Sequence, residues 1–128
     1  MALKGGSNNF GIVTRIDAPT WPIDLMFGGG LNFAYTQEVL DGHAKAFSDF
    51  MNPANFDDAA DMGMALVFQS PDTYVVGDSL YYVEPIESPP AYQEFFSIPG
   101  QLQNMTALAN VSYWANSAVG TLPPETPR

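Results

Sequence analysis

Asp57, Asp58 and Asp61 crowd three carboxylates into five residues, and His43 is the single imidazole of the chain. Carboxylates and imidazoles are the ordinary groups of acid–base and metal chemistry. Here the spacing that such chemistry needs is missing. A calcium loop alternates its ligands around a glycine hinge and closes on a distal Glu, which Asp57 to Asp61 does not do. The better reading is a solvated loop in which Asp57 or Asp58 caps a turn. His43 follows Gly42 inside a helical stretch, with no cysteine or spaced carboxylates around it. A structural histidine, at the surface or half-buried, is expected. Asp24, Asp72 and Asp78 read as turn or edge residues. None of the serines lies in a Gly-x-Ser-x-Gly elbow. With no cysteine there is no thiol nucleophile, disulfide or thiolate metal site. No catalytic residue and no metal ligand is assigned from these patterns.

The segment with the clearest chemical logic is the start, Lys4-Gly5-Gly6-Ser7-Asn8-Asn9-Phe10-Gly11-Ile12-Val13-Thr14. Small residues let a backbone come close to a ligand, and successive N–H groups can hold an anion. It is not a Walker loop, because no Gly-Lys-Ser/Thr follows. Nor is it the dinucleotide fingerprint, because a strand pattern follows it where that motif opens a helix. Spacing alone makes it a turn before a strand. Two further patterns, Asn104-Met105-Thr106 and Asn110-Val111-Ser112, fit the N-glycosylation acceptor rule. They matter only for a chain that enters a secretory pathway, and Met1 to Gly6 shows no apolar signal region.

These residues need a scaffold, and 128 residues with 46% hydrophobic content suffice for one compact domain. The charge is lopsided: 14 acids against four bases give −10. The bases are Lys4, Arg15, Lys45 and Arg128, so Ala46 to Pro127 carries no positive side chain. Phosphate backbones and anionic lipid surfaces need cations, so neither nucleic acid nor a membrane is an expected partner. No apolar run approaches the ~18 residues of a membrane-spanning helix.

Phe10, Ile12, Thr14 and Ile16 alternate along Phe10 to Asp17, which predicts a strand ended by Pro19 and Pro22. Leu25 to Phe27 and Leu31 to Tyr35 flank three glycines, as one bulged strand or two short ones. Thr36 caps a helix over 37–51, with Val39, Leu40, His43, Phe47, Phe50 and Met51 at helical spacing and Asn52-Pro53 ending it. Met62 to Gln69 and Tyr74 to Val83 form an antiparallel hairpin around Ser70-Pro71-Asp72-Thr73. Ser88 caps a short helix that packs through Tyr92, Phe95 and Phe96. A last helix over 106–119 carries Leu108, Val111, Ala115 and Val119. This order predicts an α+β fold: an antiparallel sheet with helices packed on one face.

The string Ala2-Leu3-Lys4-Gly5-Gly6-Ser7-Asn8-Asn9-Phe10-Gly11-Ile12-Val13-Thr14-Arg15 also resembles a family signature. It is that of FAD-linked oxidoreductases of the berberine bridge enzyme type, in the vanillyl-alcohol oxidase and p-cresol methylhydroxylase superfamily. In them, Ala-Leu-(Lys/Arg)-Gly-Gly followed by Asn-Phe-Gly-(Ile/Val)-Val-Thr closes the FAD-binding domain. Ser7-Asn8 stands where many relatives carry glycines, as in many fungal members. Trp21-Pro22, Phe27-Gly28-Gly29, Asp57 to Asp61, and Ser88-Pro89-Pro90 leading to Phe95-Phe96-Ser97-Ile98-Pro99 are similar as well.

The resemblance implies FAD as cofactor, with the backbone around Gly6, Asn9, Phe10, Gly11, Ile12 and Val13 lying against it. It implies that residues 1–20 end a FAD-binding domain and contribute its last strand, and that 21–128 form part of a substrate-binding domain. The substrate class it implies is a small molecule: an alcohol, sugar or secondary metabolite oxidised by hydride transfer to the flavin. The family's pyrophosphate-binding loop, its flavin-linking His or Cys and its catalytic tyrosine region have no match here. The chain alone is therefore expected to be inactive. The alternative is a free-standing, non-catalytic α+β domain that binds a protein or small ligand. In that case the edge at Phe10 to Asp17 would pair with a second chain.

Overall fold

A computed structural model of the chain describes residues 11–69 and 72–119. It is α+β, as expected, and built on a five-stranded antiparallel sheet. The elements are β1 (Met26–Ala34), α1 (Gln37–Phe50), β2 (Ala60–Gln69), β3 (Thr73–Tyr82), α2 (Gln93–Phe96), β4 (Gln101–Asn104), β5 (Ala107–Ala109) and α3 (Val111–Val119). Short 3-10 turns at Pro53–Asn55 and Pro90–Tyr92 lead into β2 and α2. The strand order is β2-β3-β1-β4, and β5 follows β4 along the same side of β1.

Strand β1 is central because both of its edges are paired. Against β3 its register is unbroken from Phe27↔Tyr82 to Ala34↔Val75, so the three glycines sit inside one strand. The irregularity lies on the other side, between Asn32 and Phe33 opposite β4. Gly29 is the residue that must be glycine: its φ is 131°, and a Cβ there would meet the Met105 carbonyl and come within 2.7 Å of Thr106 Cα. The β2–β3 hairpin pairs from Ala60↔Tyr82 to Gln69↔Thr73, close to the expected strands. Ser70 and Pro71 of the expected turn lie outside the described residues.

Side-chain alternation sorts the sheet into two faces. Phe27, Leu31 and Phe33 of β1 and Val76, Leu80 and Tyr82 of β3 point toward α1 and α2, where they meet Val39, Ala46, Tyr92, Phe95 and Ile98 in one core. Shortening Leu31, fully buried here, to Ala costs about 2–5 kcal/mol in such a setting. Helix α1 presents Val39, His43 and Ala46, a stripe at steps of four and three. The Thr36 hydroxyl oxygen accepts from the Val39 N–H at 3.3 Å, as a cap should. Phe47 and Met51, expected in the apolar stripe, are exposed.

Three expectations are corrected. First, residues 11–25 form no strand, and Ile12 and Ile16 are 93% and 80% exposed. A strand persists only through a paired neighbour, and none of the sheet's strands pairs with this segment. The self-association edge expected along Phe10 to Asp17 is therefore not formed in its described part, and the sheet's outer strands are β2 on one side and β4 with β5 on the other. Second, residues 107–109 pair with β1 as β5, and the last helix starts at Val111. The side chain of Asn110 caps it, accepting from the Tyr113 N–H at 2.8 Å. Third, Ser88 does not cap the backbone of the short helix. Its hydroxyl instead accepts from the Gln93 amide at 2.8 Å.

Candidate functional site

Of the six residues that the family resemblance places against FAD, Gly6, Asn9 and Phe10 lie outside the described residues. Gly11, Ile12 and Val13 are exposed and outside any regular element. Gly11 has φ 120°, a conformation open to glycine, with nothing within 4 Å of where a Cβ would sit. Among the described residues, no backbone hydrogen bond ties 11–25 to the sheet. Free N–H groups on an uncovered, glycine-containing backbone fit one wall of a flavin site. They do not enclose a dinucleotide.

The sheet face opposite α1 is open as well. It carries Gly63 and Ala65 of β2, Gly77 and Ser79 of β3, and Gly30 and Asn32 of β1. Gly63, Ala65 and Ser79 are exposed. At one end α3 lays Trp114 over Gly28 and against Tyr81, with ring centroids 6.0 Å apart. A Cβ at Gly28 would come within 2.7 Å of the Tyr81 ring and 3.2 Å of the Trp114 indole, so only glycine lets both rings approach. The result is a flat floor of small side chains walled by two aromatic rings.

The buried polar groups lie on the other face. His43 and Asp78 are 1% and 4% exposed, which corrects the expectation of a surface or half-buried histidine and an edge aspartate. His43 Nδ1 donates to the Val39 carbonyl at 2.7 Å, and Nε2 stands 3.0 Å from Asp78 Oδ2. Burial raises the Asp78 carboxyl above the usual carboxylate range, while the His43 ring pulls it back. Asp78 Oδ1 has no hydrogen-bond partner among the described residues. The Phe33 and Phe95 rings close around the imidazole, at 4.8 and 6.3 Å. A sealed pair of this kind positions elements and does not meet substrate.

The acidic loop is also occupied structurally. Asp57 accepts from the Ala59 N–H at 3.0 Å and from the Tyr82 hydroxyl at 3.0 Å, so it does cap a turn. The Asp61 N–H donates to the Tyr92 hydroxyl oxygen at 3.1 Å, and that hydroxyl donates to the Tyr81 carbonyl at 2.6 Å. Burial pushes the Tyr92 phenol up to about 12. Asp49 and Glu94 both hold Lys45, at 3.0 and 2.8 Å. Asp49, Asp57 and Glu94 line a groove of about 650 Å³ together with Phe50 and Phe56. Among the described residues, no group of three or more His, Cys, Asp or Glu side chains is placed to hold a metal ion.

Sequence comparison adds the cofactor. The chain is similar to a stretch of several FAD-dependent fungal enzymes. It is 38% identical over 101 residues to FAD-dependent monooxygenase sdcF of Emericella nidulans, covering 77% of this chain and 21% of that protein. It is 32% identical over 105 residues to the bifunctional solanapyrone synthase of Alternaria solani, covering 82% of this chain and 19% of that protein. With FAD-dependent monooxygenase prx3 of Penicillium roqueforti it shares 32% identity over 106 residues, covering 80% of this chain and 20% of that protein. The chain thus spans about a fifth of the length of the curated relatives it matches. FAD is the cofactor by which several of them are named, and these relatives are oxidoreductases. No family model and no solved structure matches the chain.

The buried His43–Asp78 pair was invisible to spacing, because its partners lie 35 residues apart. The signal available was a histidine on the apolar stripe of α1, facing an aspartate on the apolar face of β3.

Proposed function

We propose that the chain is part of an FAD-dependent oxidoreductase of the berberine bridge enzyme type, with residues 1–20 ending its FAD-binding domain and 21–128 belonging to its substrate domain. The observation that carries this reading is the similarity to FAD-dependent enzymes over about 80% of the chain, together with the Gly5-Gly6 to Thr14 signature. When bound, FAD supplies a hydride acceptor, so the substrate is an alcohol, sugar or secondary metabolite with an oxidisable C–H bond. Gly6, Asn9, Phe10, Gly11, Ile12 and Val13 are the residues that would hold FAD, through their backbone N–H groups. The small-residue floor from Gly63 to Ser79, with Tyr81 and Trp114 beside it, faces the substrate and keeps water from its apolar surface. His43 and Asp78 hold α1 against the back of that sheet and take no part in proton transfer.

One wall cannot retain a dinucleotide, so the chain by itself binds FAD weakly and turns nothing over. The decisive experiment reads the transcript on both sides of this frame. A continuous frame with a glycine-rich pyrophosphate loop and a flavin-linking histidine upstream is expected. An upstream frame unrelated to flavoproteins overturns the assignment. Added FAD is expected to leave the purified chain colourless after gel filtration, and a retained flavin spectrum with turnover overturns the claim of inactivity.

A further inference from the structure

Helix α1 and strand β2 leave a continuous apolar surface on the helix side of the sheet. Met64, Leu66 and Phe68 of β2 stand opposite Asp78, Val76 and Tyr74 of β3, so they share the pleat side that faces α1. The helix does not cover them. Its His43 ring packs on Phe33 of β1 at 4.8 Å and reaches Asp78 of β3, so α1 lies over β1 and β3, and the three β2 side chains stay about half exposed. Tyr35 and Tyr74, also half exposed, extend the surface toward the hairpin tip, with the Tyr74 ring 5.5 Å from Tyr35 and 5.2 Å from Phe68.

The helix adds its own flank. Leu40, Ala44, Phe47 and Met51 recur at steps of four, three and four beside the buried stripe. The opposite flank is turned to α2 and the segment after it, since Lys45 reaches Glu94 and Gly42 faces Ile98. The Leu40 flank therefore borders β2, and Met51 lines a cavity of about 420 Å³ with Ala60 at the start of that strand. No charge falls on this surface. Strand β2 has none between Met62 and Gln69, and Glu38, Lys45 and Asp49 repeat along the α2 flank of the helix. Asp41 lies on the outer side of α1, where the Gln37 amide donates to it at 2.8 Å.

We propose that this surface is where a second copy of the chain docks. Its large side chains leave on the order of 700 Å² bare, above the few hundred a monomer usually exposes and near the ~800 Å² per partner of a standard interface. The shape is a step, a helix ridge beside an uncovered strand. A two-fold axis sets the ridge of each copy on the strand face of the other, so one patch completes itself. A chain of net charge −10 repels its own copy least where its surface carries no charge. A basic partner would find no carboxylate here to pair with. Edge-to-edge pairing through β2 is a different contact, because it leaves Phe47 and Met51 in water. The docking surface lies behind the face assigned to the substrate and does not draw on FAD, so its failure would leave the flavin reading standing.

Sedimentation velocity of the full chain over a concentration series is the test, and a monomer–dimer equilibrium is expected. Phe47→Lys and Met51→Lys sit on the helix flank, away from the β2 edge. Each should raise the dimer dissociation constant on the order of tenfold or more, because the contact would bury a lysine without a partner. Ala65→Lys, on the opposite face of β2, should leave that constant within about twofold. Urea transitions of dilute samples check that the variants remain folded, and either helix variant alone suffices. A wild type that stays monomeric up to its solubility limit overturns the proposal. So does association that survives the helix variants or that Ala65→Lys abolishes, since either moves the contact to the β2 edge or to another face.

Discussion

His43 Nε2 and Asp78 Oδ2 meet at 3.0 Å across the interface of α1 and β3, and the other ring nitrogen fixes what that contact can be. Nδ1 faces the Val39 carbonyl, which only accepts, so Nδ1 carries a hydrogen. Nε2 then holds a hydrogen only in the imidazolium; otherwise it accepts one from a protonated Asp78. Either way a proton lies between the two residues. An ionised Asp78 facing a bare Nε2 would set two lone pairs against each other in a buried site.

The pH dependence follows from Asp78, whose folded carboxyl is held above its ordinary value near 3.8. The folded chain keeps a proton there that an unfolded Asp78 has released. That contribution is complete below about pH 4 and is lost as pH rises through the folded value, at up to about 1.4 kcal/mol per pH unit. Asp78→Asn keeps a donor for Nε2 and removes the charge. Its stability relative to wild type, read from urea midpoints between pH 4 and 8, should increase as pH rises from 4 through the folded Asp78 value and level off above it. Parallel curves for the two proteins would sink this account. Asp78→Ala, which strands Nε2 without a partner, should cost about 1–3 kcal/mol near pH 4, and the cost should shrink as pH rises.

Tyr92 is the second buried polar tie, and it predicts an alkaline signature. Its hydroxyl joins the turn before α2 to both strands of the hairpin, through the Asp61 N–H and the Tyr81 carbonyl. Its ring is fully buried, with the Phe27 and Phe50 rings at 6.3 and 6.2 Å. Tyr92→Phe keeps the packing and removes the ties, so a loss of about 1–3 kcal/mol is expected in denaturant. The phenol at about 12 is raised above its ordinary value of 10.0, so its contribution is full below pH 10 and disappears as pH climbs through 12. Absorbance titration should show late tyrosine ionisation together with unfolding, with the Tyr92 component absent in Tyr92→Phe. If Tyr92→Phe titrates identically to wild type, the tie is not what the geometry says.

Local patterns made α1 and the hairpin legible, because each is specified within its own segment. Thr36, the apolar stripe of α1 and the alternation along β3 all act over a few residues. What escaped was set by distant partners. Gln101–Asn104 is mostly polar and exposed, and it is a strand only because β1 offers it an edge. Leu108 has helical spacing with Val111, yet it pairs with Phe27. Phe10 to Asp17 failed in the opposite sense: its alternation is right for a strand, but its described part has no pairing neighbour. The residues proposed to hold the flavin are legible only through the family signature, since glycines before a strand pattern carry no unique chemistry.

Gly29 offers a test of the central strand that needs no cofactor. Its φ of 131° lies where a side chain is strained, and the Met105 carbonyl and Thr106 Cα occupy the space a Cβ would take. The β4–β5 turn must withdraw from β1 to admit even one methyl group. Gly29→Ala should therefore cost about 3 kcal/mol or more and broaden the unfolding transition. Gly63→Ala, which faces only the Ser79 hydroxyl at 3.0 Å, should cost much less. Thermal melts of the two variants settle the comparison, and equal losses would show that the turn is not packed on β1.

Strand β2 is one outer strand of the sheet, and its outer apolar side chains are only partly covered. Met64, Leu66 and Phe68 are about half exposed, and no charged residue occurs between Met62 and Gln69. Soluble proteins usually guard such an edge with charge, because its free N–H and C=O groups template pairing with another strand. The isolated chain should therefore associate as its concentration rises. Leu66→Lys places a charge at the middle of the edge while leaving the Leu66↔Val76 register intact. Light scattering should show the variant remaining monomeric at concentrations where wild type associates, with melting stability within about 0.5 kcal/mol. Association unchanged by Leu66→Lys would place the contact elsewhere, and association absent in wild type would mean the bare edge is protected by other means.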